Sequence, residues 1–106
     1  MALHDEADAL REQVDHLALG PSTVEDWRLA DAKLFHAMME GQLEVQALQG
    51  EMIKLVKTTR PSWCWFEKHA AVRELVELLD DLRVLRMCVR SRIYELEAGD
   101  AQPAIA

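Results

Sequence analysis

The sequence predicts an all-α protein: a long antiparallel helical hairpin with a short N-terminal helix laid on one half, forming a three-helix, coiled-coil-like bundle. Three observations lead there. Apolar residues recur at alternating steps of three and four along almost the whole chain, the period of one face of a helix. Prolines fall only at 21, 61 and 103, and since proline inside a helix costs ~3 kcal/mol or more, uninterrupted helices fit between them. The link around Pro61 is about four residues long, and two long helices joined so briefly fold back on each other.

The first helix is expected at about residues 2–18, where Leu3, Ala7, Leu10, Val14 and Leu17 make one stripe and Asp5, Asp8, Glu12 and Asp15 lie outside it. Gly20, comfortable at positive φ, and Pro21 end it. Ser22 and Thr23 are good N-caps, and Glu25 and Asp26 stand three residues after each, as a capping box requires. From there a seam runs through Val24, Trp27, Asp31, Leu34, Met38, Gly41, Val45, Leu48, Met52 and Leu55, with Ala30, Phe35, Leu43, Ala47, Ile53 and Val56 widening it. The second helix is expected at about 24–58. Gly41 and Gly50 each cost up to ~1 kcal/mol inside it, so either the helix breaks near Gly50 or small residues admit a neighbouring helix.

Pro61 pushes the residue before it out of helical geometry, and Ser62 can cap a third helix at about 63–97. Its stripe is Phe66, Ala70, Val72, Leu75, Val76, Leu79, Leu82, Leu85, Val89, Ile93 and Leu96. Residues 1–97 form one domain, and 98–106, with Gly99 and Pro103, are expected to be a flexible tail. With the bend near residue 60, Met38 opposes Leu82, Val45 opposes Leu75, Trp27 opposes Ile93, and Gly41 receives Leu79. Arg83, Arg86 and Arg90 then lie near Asp31 and Glu40.

Composition narrows the function classes. A net charge of -7 and a pI near 5.0 disfavour nucleic acid. Lys54, Lys57, Arg60 and Lys68 gather near the bend beside aromatics, but Glu51 and Glu67 dilute them. No apolar run approaches the roughly 18 residues that would span a bilayer, and the acidic start does not suit a secretion signal, so no membrane partner is expected and a cytoplasmic location is. Cys64 and Cys88 lie ~36 Å apart on one helix, too far for a disulfide within the chain, and read as small buried or half-buried thiols. Glu12 with His16 and His36 with Glu40 share helical faces, but neither pair is on an apolar stripe, so no metal or other cofactor is expected.

Lengths supply the functional expectation. A first helix of ~25 Å covers only half of arms ~50 Å long. The other half should keep several hundred Å² of apolar surface, as interaction sites do. The expected interface comprises Val45, Leu48, Met52, Leu55, Val56, Trp63, Trp65, Phe66, Val72 and Val76. The chain is therefore read as a non-enzymatic interaction module, an adaptor, chaperone or regulator that forms a homodimer through its Trp-rich half, with a different protein in that place as runner-up. In composition only, it resembles bacterial secretion chaperones and small regulators. The enzymatic alternative rests on Arg11 and His16, whose Arg-x4-His spacing resembles that of the helical HEPN ribonucleases, although nothing around the pair matches that family. Helical chorismate mutases are of similar size, but acids stand where their arginines and lysines would.

Overall fold

A computed structural model of the chain describes residues 2–58 and 63–101. They form three helices, α1 (Ala2–Leu19), α2 (Val24–Thr58) and α3 (Trp63–Ala101), with α2 packed against both others. Among the described residues there is no strand. The all-α hairpin with a short helix on one half is therefore the observed architecture. α3 runs four residues beyond the expected end at 97, into the stretch expected to be a flexible tail. The reason is that Gly99 weakens a helix without stopping it, and the first residue unable to continue is Pro103. Residues 102–106 lie outside the described residues.

The turn between α1 and α2 is fixed by side chains rather than by glycine geometry. No described glycine has positive φ, so Gly20 does not use the conformation expected of it; its N–H donates to the His16 carbonyl at 3.2 Å. Ser22 does not serve as the N-cap expected of it with Glu25. Its hydroxyl donates to the Leu17 carbonyl at 3.1 Å and accepts the Trp27 indole N–H at 2.8 Å, tying the end of α1 to the first turns of α2. The cap itself is Thr23: its Oγ1 accepts from the Asp26 N–H at 3.3 Å, and Asp26 Oδ2 accepts from the Thr23 N–H at 3.0 Å. Trp27, with its donor satisfied, is buried at 4% exposure.

α2 is unbroken through both internal glycines. Gly41 sits where the three helices meet, and a Cβ there would come within 2.7 Å of Leu79 Cδ2 and 3.0 Å of Leu3 Cδ2. Gly50 faces open space, with nothing within 4 Å. The register follows the expected pairing of α2 with α3. Leu79 lies at Gly41, Arg86 Nε donates to Asp31 Oδ1 at 2.9 Å, and Lys68 Nζ donates to Glu51 Oε2 at 2.6 Å. Arg83 instead turns to Asp80 of its own helix at 3.0 Å.

The core comprises Leu3, Ala7, Leu10 and Val14 of α1, Trp27, Ala30, Leu34, Ala37 and Val45 of α2, and Leu75, Leu79, Leu82 and Val89 of α3. Ala30 and Ala37, one heptad apart, are almost fully buried, so small side chains let α1 come close. The next two positions at the same spacing are Glu44 and Glu51, both exposed. The sequence of α2 thus marks where the cover of α1 ends. Leu3, near the start of α1, is already level with Gly41, the middle of the hairpin.

Two glycine substitutions should act in opposite directions in urea unfolding. Gly50→Ala should stabilise the fold by ~0.5–1 kcal/mol, because alanine lowers the helix cost and meets nothing. Gly41→Val should cost ~1–3 kcal/mol, because the branched side chain overpacks Leu79 and Leu3. Ser22→Ala strips the Trp27 indole of its acceptor and should cost ~1–2 kcal/mol in the same measurement.

Candidate interaction surface

The two halves of the hairpin are buried to different depths. No side chain of 46–57 or 63–74 is buried, whereas positions such as Leu34 and Val89 in the half that α1 covers are fully enclosed. In the uncovered half the seam between α2 and α3 is only half-buried at Leu48, Met52, Leu55, Trp65 and Val72. Of the expected interface residues, Val56, Trp63, Phe66 and Val76 are exposed, Trp63 most of all at 83%. Val45 departs from the expectation. It is buried at 8% within the chain's own core and offers nothing to a partner. It stands directly after the level of Gly41, where two packed helices still suffice to enclose a valine.

Trp63 and Trp65, two positions apart on α3, face different sides, as helical geometry demands. Trp65 turns toward α2, its ring meeting Phe66 edge-on at 5.2 Å and stacking on His69 at 5.2 Å. Trp63 points away. Below Trp65 lies an open cavity of about 490 Å³ lined by Gln49, Met52, Ile53, Val56, Lys57 and Trp65. Its lining is apolar apart from one amide and one ammonium, a character suited to an apolar anchor from another chain. The Lys68–Glu51 pair flanks this end. The hydrogen bond from Lys68 holds the Glu51 carboxyl below its usual range, and Glu51 in turn raises Lys68. Both shifts favour the folded pair at neutral pH; the contact is lost as acid protonates Glu51 and, at the other extreme, as base deprotonates Lys68.

Exposed apolar residues on α2 extend beyond the expected interface, to Phe35 and Met39. Phe35, Met39, Ile53 and Val56 are each about half exposed, and all lie on the side of α2 turned away from Ala30 and Ala37, hence away from α1. The ring of Phe35 lies under the Arg86 guanidinium, 4.8 Å from ring centroid to Cζ, while Arg86 is held by Asp31. The spacing places Phe35 beside the core seam as a residue that widens it, and the structure leaves it half exposed. Leu43, assigned to the same seam, is 61% exposed and faces solvent. On α3, Val84, Met87 and Tyr94 are likewise exposed, at 61%, 65% and 75%.

The remaining candidates resolve differently. Cys64 and Cys88 are exposed rather than buried or half-buried, because each lies off the α3 seam. His69 is exposed and serves as a stacking face for Trp65. His36 and Glu40 approach at 3.6 Å on an exposed surface. Arg11 lines a groove of about 380 Å³ between α1 and α3, with His4, Asp8, Glu74, Glu77 and Asp81 among its neighbours. His16 is not among the lining residues, and five positions of helix rotate it ~140° away from Arg11. Among the described residues, no group of three or more His, Cys, Asp or Glu is placed to hold a metal ion. Arg60 lies outside the described residues. No described helix is long and apolar enough to cross a membrane. In comparisons with known proteins, no family model matches the sequence, and no curated protein or solved structure is significantly similar to it.

Proposed function

We propose that this chain is a non-enzymatic protein–protein interaction module of the adaptor, chaperone or regulator kind, dimeric through the uncovered, Trp-rich half of its hairpin. The observation that carries this reading is the contrast in burial along one pair of helices. Where α1 lies on them they enclose a core; beyond its reach they leave Ile53, Val56, Trp63, Phe66 and Val76 in water beside an apolar cavity. Water-exposed apolar area of this extent is favourable to bury, at roughly 25 cal/mol per Å². A second copy supplies the same surface and closes it symmetrically. Two exposed thiols fit a reducing compartment, which supports the cytoplasm as the place of action.

A small helical ribonuclease built on Arg11 and His16 is supported less. Acid–base catalysis needs its groups within reach of one proton, and these two diverge around α1.

Sedimentation at micromolar concentration should give twice the chain mass; a monomer would remove the dimer. Phe66→Glu should split the dimer and leave far-UV circular dichroism nearly unchanged, because Phe66 is 56% exposed. Leu10→Glu, by contrast, should detach α1 while the chain stays dimeric, because Leu10 is part of the contribution of α1 to the core and lies outside the expected dimer surface.

A further inference from the structure

Besides its core seam, α2 carries a second stripe, at Phe35, Met39, Gln42, Gln46, Gln49, Ile53 and Val56. The steps are four and three throughout, so the seven residues line one side of the helix for its whole middle. All seven are exposed. None is charged, although Glu40, Glu44, Glu51 and Lys54 occupy the same stretch on other sides, and the stripe is followed by Lys57 one turn after Ile53, at the rim of the cavity. A helix face that is solvated for its own sake carries charge; one that meets another helix sheds it. α1 does not cover this stripe, since it lies against Ala30 and Ala37 on the opposite flank.

The stripe is also symmetric in its chemistry. Two apolar residues stand at each end, and three glutamines lie between them. Reversed end for end, it presents Phe35 to the partner's Val56, Met39 to the partner's Ile53, Gln42 to the partner's Gln49, and Gln46 to itself. Glutamine donates and accepts through one amide, so it is complementary to its own kind across a two-fold axis. The apolar ends are matched in shape as well. The cavity lined by Gln49, Met52, Ile53, Val56, Lys57 and Trp65 opens at one end, and Phe35, clamped under Arg86, projects at the other.

We propose that α2 pairs antiparallel with the α2 of a second copy along this stripe, with Gln46 on the two-fold axis and Phe35 seated in the partner's cavity. The proposal rests on the dimeric reading above and gives it a geometry. Seven exposed side chains of about 80–100 Å² each give roughly 560–700 Å² per protomer, somewhat below the ~800 Å² of a stable interface before flanking residues are counted. α1 remains on the outside of such a pair, and the glutamine centre sets the antiparallel register without a buried charge.

Crosslinking at the axis tests this directly. In a Cys64→Ser, Cys88→Ser chain, Gln46→Cys should oxidise to a covalent dimer, since only a residue on the axis meets its own copy at disulfide range. Leu43→Cys, exposed on another side of α2, should not. In the unmodified background, Phe35→Glu should weaken dimerisation about tenfold or more with helicity unchanged. If the parent chain sediments as a monomer, the dimeric reading falls and the seam with it. If the parent is a dimer that Phe66→Glu dissociates, while Phe35→Glu leaves it intact and Gln46→Cys forms no covalent dimer faster than Leu43→Cys, the seam is overturned and dimerisation through the bend stands.

Discussion

Everything in this fold depends on the close approach at Gly41. There α2 has no side chain, and Leu79 of α3 and Leu3 of α1 fill the space that one would take. Because the two leucines press on the same backbone position, the contact fixes two registers at once: that of the hairpin, and the height at which α1 begins. The polar pairs Arg86–Asp31 and Lys68–Glu51 lie on either side of it and agree with the same alignment. They are too solvated to set it, since exposed and half-exposed ion pairs contribute little and are screened by salt. Packing decides the register, and the charges are compatible with it.

From that contact the limits of α1 follow. Starting level with the middle of the hairpin and running to the turn at Gly20, it shields one half and cannot shield the other. α2 is written for this division. Alanines stand where α1 lies against it and glutamates take their place one heptad further on, so the chain does not invite a longer cover on that flank. The Ser22 hydroxyl, bonded to both the Leu17 carbonyl and the Trp27 indole, holds α1 at the angle that places Leu3 on Gly41. A small core is thereby concentrated at one end of a rod 73 Å long, while exposed apolar side chains gather near the bend and on the far side of α2, with Val84, Met87 and Tyr94 exposed on α3.

That surplus differs in kind from scattered surface leucines, which need no explanation. At the bend it surrounds a concave, nearly uncharged pocket. Along α2 it is a periodic stripe from which charge is absent while neighbouring faces are rich in it. The two features adjoin at Ile53 and Val56, which belong to both. One association could therefore use the pocket and the stripe together, and no catalytic constellation competes for the same residues.

How much of this was legible beforehand depended on what each residue required. The three helices, their capping residues and the pairing of Gly41 with Leu79 followed from periodicity, from proline's missing N–H and from a link too short to do anything but reverse the chain. These are local constraints that the sequence determines by itself, and they also foretold that the half beyond α1 would be poorly covered. Three things were decided only by the tertiary structure. Val45 proved to be core because enclosure depends on the distance from the end of α1. The two cysteines proved exposed because a small rotation about α3 separates seam from surface. Phe35 proved exposed rather than core because a helix two residues wide at its seam shows the same steps of three and four on adjacent sides. Spacing along a chain tells which residues share a side of a helix; only the placement of neighbouring helices tells which of those sides is covered and which is left in water.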